Sequence, residues 1–208
     1  AREVAPGDPA ALSRRETTYL CAADADGMMV SLIQSNYTGF GSGWCVPSLG
    51  FGLQNRGALF SLDPAHPNAL APGKRPFHTI IPAFLSLDGR PSVAFGVMGG
   101  DMQPQGHVQV LVNLIDFQMN VQAAGEAPRI EHRGSAAPTG HPARKDGGVV
   151  QAELGIPEEV VKELEKRGHW VVRTAKNGGG YQGILIDPKP GMLHGGSEAR
   201  KDGCAVGY

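Results

Sequence analysis

The stretch TTYLCAADADGMMVSLIQS, residues 17–35, encodes two strands and the turn between them. Strand-forming residues lie on both sides of a short polar segment, Asp24-Ala25-Asp26-Gly27. Asp at the first position of a turn and Gly at the fourth favour a type I turn with a left-handed glycine, which is a common hairpin loop. We therefore predict an antiparallel hairpin in which Asp24 pairs with Met28.

That pairing places Thr17 directly opposite Ser35 on the same face of the hairpin. Two facing hydroxyls can serve in catalysis, or they can be ordinary strand side chains that bond a neighbour. The hairpin alone leaves both interpretations open.

Beyond this hairpin, the patterns alternate between strands and helices in blocks. A second hairpin is predicted from residues 79–87 and 92–98, joined at Asp88-Gly89. Helical spacing of apolar residues predicts helices over 104–120 and from Pro157 to Gly168. Further strands are predicted at 169–174 and 182–187, and 123–146 is predicted to be a loop. This order favours an α+β fold with helices layered on a largely antiparallel sheet.

Size and charge exclude several classes of function. The chain has 208 residues, and its 19 Lys and Arg against 20 Asp and Glu leave a net charge of -1. That length fits one domain. Because the charges are scattered, we expect neither nucleic acid nor a membrane as a partner. No apolar run approaches the roughly 18 residues that span a bilayer.

Signatures of metal and cofactor sites are missing from the sequence. The 3 cysteines and 7 histidines show no metal-ligand spacing. The segment GFGSG, residues 39–43, lacks the spacing of a nucleophile elbow. The glycines at 178–180 are not followed by the Lys-Ser/Thr of a phosphate-binding loop. We therefore expect no metal and no cofactor.

The first 16 residues have the composition of a linker. They include Pro6, Gly7 and Pro9, begin with Ala rather than Met, and contain no apolar signal core. We expect residues 1–16 to be an extended arm and the chain to be part of a longer protein. Any export signal would precede Ala1, so cytoplasmic, periplasmic and extracellular locations all remain open.

Several motifs, in order and spacing, resemble the small subunit of gamma-glutamyltransferases. The resemblance covers residues 17–208, and its motifs are TTYLCAADADG at 17–27, NYTGFGSG at 36–43, PGKRP at 72–76, the Gly99-Gly100 pair, the stretch from Asn120 to Arg129, and the closing segment from Gly203 to Tyr208.

The resemblance implies an αββα N-terminal nucleophile hydrolase. Such enzymes cut themselves before a threonine, and the match places this cleavage between Glu16 and Thr17. Thr17 would then act as the nucleophile, with its released α-amine as the general base. Residues 17–208 would form the small-subunit catalytic domain, and 1–16 the C-terminal tail of a large-subunit partner.

The same resemblance implies supporting roles around Thr17. Ser35 falls at the family's second hydroxyl, which bonds the nucleophile. Gly99 and Gly100 match a glycine pair whose backbone amides receive the developing oxyanion, a role that suits residues without side chains.

The chain departs from the family where glutamyl-specific relatives bind the substrate. Arg56 and Leu59 replace a Gln and an Asp that bind the α-ammonium, and His78-Thr79 replaces a serine pair that binds the α-carboxylate. A guanidinium repels an ammonium and pairs with a carboxylate. Tyr37, Asn55, Arg56, His78 and Thr79 are therefore the candidate substrate-binding residues.

These observations predict an amide hydrolase or acyltransferase that acts on a small molecule, with gamma-glutamyl transfer or glutathione-type hydrolysis as the expected reaction. The departures keep a second possibility open, a cephalosporin, glutaryl or poly-gamma-glutamate acylase. A third possibility, from another class, is a non-catalytic small-subunit remnant that no longer matures.

Overall fold

The computed structural model describes residues 17–175, 179–188 and 192–208. The predicted arm at 1–16, including Glu16 of the predicted cleavage site, lies outside the described residues. Within them the chain forms the following strands and helices: β1 (Thr17–Ala23), β2 (Met29–Ser35), β3 (Cys45–Val46), β4 (Phe51–Gly52), β5 (Ala83–Leu87), β6 (Arg90–Met98), α1 (Met102–Ile115), α2 (Val121–Glu126), β7 (Ile130–Arg133), β8 (Val149–Glu153), α3 (Glu158–Lys166), β9 (Val171–Thr174), β10 (Gly180–Ile186) and β11 (Leu193–Ser197).

The first hairpin has the predicted turn and register. The Asp24 N–H donates to the Met28 carbonyl, and Gly27 adopts a φ of +83°. β1 and β2 pair antiparallel, with Thr17 opposite Ser35. The predicted hairpin is confirmed.

Three layers can be followed outward from the central sheet. That sheet is antiparallel and has the order β11-β10-β6-β5. Gly96 of β6 faces the ring of Tyr19 in β1, so the first hairpin covers one face of the sheet. Val97, the next residue, faces Gly106 of α1, because successive side chains of a strand point to opposite faces. The helices α1 and α2 therefore cover the other face.

The hydrophobic core lies between the sheet and these two helices. It contains three alternate residues of β6, Val93, Phe95 and Val97, together with Tyr181 of β10. Val110 of α1 and Val121 of α2 complete it. Alternation at period two on β6 places these three residues on the face that the helices cover.

A smaller sheet is attached to the edge of this core. β7 pairs antiparallel with β8, and β8 pairs parallel with β9. The side-chain amides of Gln105 and Gln109 in α1 bond the backbone of Ile130 and His132 at distances of 2.7–3.1 Å. These glutamines satisfy the free edge of β7 as a neighbouring strand would. None of the helices in the described ranges is long and apolar enough to cross a bilayer.

The predicted elements differ from the observed ones in several places. The second hairpin is confirmed, but its first strand begins at Ala83, after Pro82, which lacks the N–H that a ladder needs. The helix predicted over 104–120 ends at Ile115, and Asn120 caps a separate helix by accepting the Ala123 N–H at 2.8 Å. The loop predicted at 123–146 is wrong in part, because it contains much of α2 and all of β7. β8 and β11 were not predicted.

Candidate active site

Thr17 and Ser35 are brought together at the open end of the first hairpin. The Thr17 hydroxyl donates to Ser35 Oγ at 3.1 Å. Their strands begin and end there, and the register makes the two residues direct partners. Both side chains lie on the half-buried face that packs toward the central sheet. A strand terminus therefore presents a hydroxyl pair at the boundary between core and solvent.

Arg56 joins this pair from a short 3-10 turn, Arg56–Leu59. Its Nη2 donates to Ser35 Oγ at 3.2 Å. The guanidinium lies over the ring of Tyr37, 4.9 Å from the centroid, and the residue is 3% exposed. The Tyr37 N–H donates to the same Ser35 oxygen at 3.0 Å. One serine oxygen thus connects the threonine, the arginine and the turn that follows β2.

Asn55 holds the loop beside Arg56. Its Nδ2 donates to Thr38 Oγ1 at 2.9 Å and to the Gly41 carbonyl at 3.1 Å, while its Oδ1 accepts the Thr38 N–H at 3.2 Å. Gly41 has a φ of +73°, and a Cβ there would lie 2.3 Å from the Leu53 carbonyl oxygen. The loop can therefore pass close to the Asn55 segment only with glycine at this position.

The glycine pair ends β6 and leads into α1. Gly99 and Gly100 have φ values of +126° and +62°. A Cβ on Gly99 would lie 2.6 Å from the backbone nitrogen of Gly179, so this position has no room for a side chain. The left-handed backbone turns the chain sharply out of the sheet at a place that other residues rarely tolerate.

Thr17 lines a cavity of about 510 Å³, which we term the Thr17 cavity. Thr17–Cys21 form one wall, and residues 201–206 and parts of β10 and β11 form others. Met98, the residue directly before Gly99, also lines it. Thr17 and the end of β6 thus face the same space. A second cavity, of about 540 Å³, lies beside Thr18, Ser35 and residues 51–54.

A buried charge cluster holds the wall that residues 201–206 provide. We use the name for Arg129, Glu153, Glu198 and Arg200. Arg200 pairs with both Glu153 and Glu198, and Arg129 Nη2 lies 3.8 Å from Glu198 Oε2. Burial lowers the pKa of Arg129 to about 10, which still leaves it charged at neutral pH. The cluster ties the segment after β11 to α2 and β8.

None of the five predicted substrate-binding residues, and neither glycine of the Gly99-Gly100 pair, is among the residues that line the two cavities. Of the two binding residues not yet described, His78 is exposed and Thr79 is 5% exposed. Among the described residues, no three His, Cys, Asp or Glu side chains lie close enough to hold a metal ion. Sequence reasoning did not anticipate the bond from Arg56 to Ser35 or the contribution of residues 201–206. The closing segment was noticed only as a motif, and nothing in its spacing indicates a cavity wall.

Comparison with known proteins places this arrangement in a family. Residues 3–208 match the family model described as gamma-glutamyltranspeptidase. The chain belongs to this family. The resemblance inferred from the motifs is therefore confirmed.

Relatives of this chain in the gamma-glutamyltranspeptidase family are named for different activities. The chain is 35% identical to the glutathione hydrolase-like YwrD proenzyme of Bacillus subtilis over 92% of its own length and 36% of the relative's. It is 49% identical to a cephalosporin acylase from Bacillus halodurans, with a TM-score of 0.80, over 91% of this chain and 34% of that one. It therefore spans about a third of the length of the curated relatives it matches.

A third relative matches end to end. The gamma-glutamyltranspeptidase from Pseudomonas nitroreducens complexed with L-DON superposes with a TM-score of 0.75 at 28% identity, over 92% of this chain and 99% of that one. These likenesses confirm the predicted α+β fold of N-terminal nucleophile hydrolases.

Proposed function

We propose that residues 17–208 form the catalytic small-subunit part of an amide hydrolase or acyltransferase with Thr17 as its nucleophile, and that residues 1–16 are the tail of the large subunit. The observation that carries this proposal is the Thr17–Ser35 hydroxyl pair, 3.1 Å apart at the first residue of β1. A threonine hydroxyl is a weak nucleophile until an adjacent base takes its proton. Cleavage between Glu16 and Thr17 supplies that base as the new α-amine.

The reaction then proceeds through an ester. Thr17 Oγ1 attacks the amide carbonyl, its proton passes to the α-amine, and the carbonyl oxygen becomes an oxyanion. The amine delivers the proton to the leaving nitrogen as the carbon–nitrogen bond breaks, which leaves the acyl group on Thr17. Water or an acceptor amine attacks this ester and restores the hydroxyl.

Gly99 and Gly100 are proposed to receive the oxyanion. Support comes from Met98, which lines the Thr17 cavity and precedes this pair directly. Fixed backbone donors aimed at the developing charge contribute about 3–4 kcal/mol in such sites. The left-handed φ values of both glycines turn their backbone away from the sheet ladder that ends at Met98.

A large subunit is the proposed partner, and the first hairpin supports it. On its outer face Leu20, Val30 and Leu32 are 44–48% exposed. In the part of the chain that the structure describes, β1 has only β2 as a strand neighbour. In folded proteins an apolar sheet face and an unpaired strand edge are both usually covered by another element or chain. A large subunit would supply the outer helices and strands of the αββα sandwich.

Two acyl groups remain candidates, a gamma-glutamyl group and a diacid-like group such as glutaryl. Tyr37, Asn55, Arg56, His78 and Thr79 are the proposed substrate-binding residues. Arg56 and Thr17 bond the same oxygen, Ser35 Oγ, so the guanidinium lies close to the proposed nucleophile. A cation at this place favours an acyl group with a carboxylate over one with an ammonium. The 49% identity to a cephalosporin acylase supports the second candidate.

Maturation tests the nucleophile. In the full-length protein, the smaller fragment should begin Thr-Thr-Tyr-Leu, and Thr17→Ala should remain one chain by intact mass. Incubation of the mature protein with substrate should leave an acyl ester on Thr17. A chain that never matures and forms no ester would support the non-catalytic remnant instead.

Substrate comparison tests the acyl group. We expect kcat/KM for a glutaryl p-nitroanilide to exceed that for the gamma-glutamyl analogue, and Arg56→Gln to cost the glutaryl substrate about 1.5–3 kcal/mol, roughly one to two decades. Arg90→Gln, a change of an exposed arginine, is the matched control. Preference for the gamma-glutamyl donor, unchanged in Arg56→Gln, would assign the protein to glutathione-type chemistry.

A further inference from the structure

We infer that Arg56 is also a positioning residue for the nucleophile, acting on Thr17 through the Ser35 hydroxyl. The inference rests on the proposed role of Thr17. Arg56 Nη2 and the Thr17 hydroxyl both donate to Ser35 Oγ, at 3.2 and 3.1 Å. The arginine is therefore linked to Thr17 through one shared oxygen atom.

The groups around Ser35 Oγ determine where the proton of its hydroxyl can point. The guanidinium and the Tyr37 N–H can only donate, so Ser35 Oγ accepts from both. When the Thr17 proton moves to its α-amine, the proton of the Ser35 hydroxyl can turn toward the oxygen that has lost it. Ser35 then donates to the developing alkoxide, while its own oxygen stays fixed by two N–H groups.

The positive charge of Arg56 should also stabilise the alkoxide that forms on Thr17. A fixed cation that is separated from a developing alkoxide by a single side chain stabilises the alkoxide, and it does so most strongly where water is excluded. Arg56 is 3% exposed and lies over the Tyr37 ring, 4.9 Å from its centroid. Burial and stacking hold the planar guanidinium in one orientation, so it need not reorganise during the reaction.

Positioning and substrate binding make different kinetic predictions. A contact to the acyl carboxylate lowers KM for acidic substrates alone. A contact through Ser35 changes the rate at which Thr17 is acylated by any electrophile, including an uncharged one. The same cation should also hold the pKa of the Thr17 α-amine below the value it has without the arginine.

The test uses p-nitrophenyl acetate, a small uncharged ester, on mature full-length enzyme. Acetylation of Thr17 is followed by nitrophenol release and by intact mass in the wild type, Arg56→Gln, Arg56→Lys, Ser35→Ala and the Ser35→Ala/Arg56→Gln double variant. We expect Arg56→Gln to slow acetylation on the order of 10-fold or more. Arg56→Lys should recover part of the rate, and the pH of half-maximal rate should rise in Arg56→Gln.

The double variant tests whether Arg56 acts on Thr17 through Ser35. If Arg56 acts through Ser35, Arg56→Gln should add little to the loss already present in Ser35→Ala. Equal losses in both backgrounds, or an unchanged rate and pH profile in Arg56→Gln, would overturn the inference. Should Arg56→Gln not mature, Arg56→Lys and the Ser35→Ala/Arg56→Lys double variant carry the same comparison, with a smaller expected loss. A wild-type enzyme that p-nitrophenyl acetate never labels at Thr17 would instead refute the proposed nucleophile.

Discussion

Two arginines of the described residues are almost completely buried, and their surroundings differ. Arg129 is 1% exposed and lies in the charge cluster with Glu153, Glu198 and Arg200. Arg56 is 3% exposed, lies over an aromatic ring and bonds the hydroxyl of Ser35. Burial alone therefore does not reveal what a charged residue does.

The difference lies in what each partner contacts next. Arg129 Nη2 donates to the Gly125 carbonyl at 2.6 Å, and Arg200 of the same cluster also bonds that carbonyl. These contacts join α2 to β8 and to the segment after β11, so they serve the architecture. The partner of Arg56 bonds Thr17, the candidate nucleophile. Arg129 therefore serves the architecture, whereas Arg56 bonds the serine that pairs with the candidate nucleophile.

The largest expected effect comes from breaking the charge cluster. Arg200→Met removes the cation that pairs with Glu153 and Glu198, whose carboxylates then remain buried with less compensation. We expect the free energy of unfolding of the full-length protein to fall by about 3–5 kcal/mol, as measured by urea denaturation.

Arg167→Met is the matched control for this change. Arg167 pairs with Glu163 on the surface of α3, where both side chains are more than half exposed. Such pairs contribute about 0.3–0.5 kcal/mol. Similar losses in the two variants would mean that burial does not distinguish the cluster from a surface pair.

A second, smaller effect should come from the contact between the hairpin and the central sheet. A Cβ at Gly96 would lie 2.4 Å from Cδ2 of the Tyr19 ring. Tyr19 is two residues from Thr17, so Gly96→Ala should displace Thr17 as well as strain the packing around Tyr19. We expect a loss of roughly 1–3 kcal/mol in unfolding free energy and a clear drop in acylation rate.

Gly57→Ala provides the control, because nothing lies within 4 Å of a Cβ at that position. If Gly96→Ala lowered stability but left the acylation rate unchanged, the Tyr19 contact would belong with the charge cluster as architecture, and not with the Thr17 site.

The first hairpin and its register could be predicted because they depend on neighbouring residues. The turn segment Asp24-Ala25-Asp26-Gly27 sets the pairing, and the pairing sets Thr17 opposite Ser35. The resemblance to the family then supplied roles for both residues. The partner of Arg56 could not be predicted, because it depends on how a loop folds back across 21 residues.

The missed elements have a similar cause. β11 contains Gly195 and Gly196, which disfavour a strand by local propensity, yet Gly196 leaves room for the backbone of Val121 in α2. The helix predicted over 104–120 does not continue to residue 120, because Gln118 adopts a φ of +50° and Asn120 caps a new helix.

A third prediction concerns Asn55, the neighbour of Arg56. Asn55→Ala removes the amide that bonds Thr38 and Gly41. We expect a loss of roughly 1–2 kcal/mol in unfolding free energy, because half-buried partners lose their hydrogen bonds, and a modest fall in kcat as Arg56 loses support. Asn55→Asp, which keeps the acceptor but loses both donors, should lie between. A rise in KM with unchanged stability would show that Asn55 binds the substrate directly.

The smallest effect should appear in the pH dependence of stability, on the side of the molecule that contains Arg129. Burial lowers the pKa of His107 from 6.5, and the charge of Arg129 acts in the same direction. The unfolded chain therefore binds a proton at His107 at a higher pH than the folded chain does. The free energy of unfolding should fall as pH drops below about 6.5, and this loss should end once the pH is below the pKa of the folded state.

His107→Gln isolates this contribution, since glutamine does not titrate and can still donate to the Gln103 carbonyl, which His107 Nδ1 bonds at 2.6 Å. Urea denaturation at pH 7.5 and 5.5 should show a smaller difference in the variant than in the wild type. Carboxylates titrate alike in both proteins, so they cancel in this comparison. An equal difference would mean that His107 gains its proton as easily in the folded state as in the unfolded one. The buried charge of Arg129 would then have no measurable effect on the titration of His107. Arg129 and Arg56 would differ only in the residues that each of them bonds.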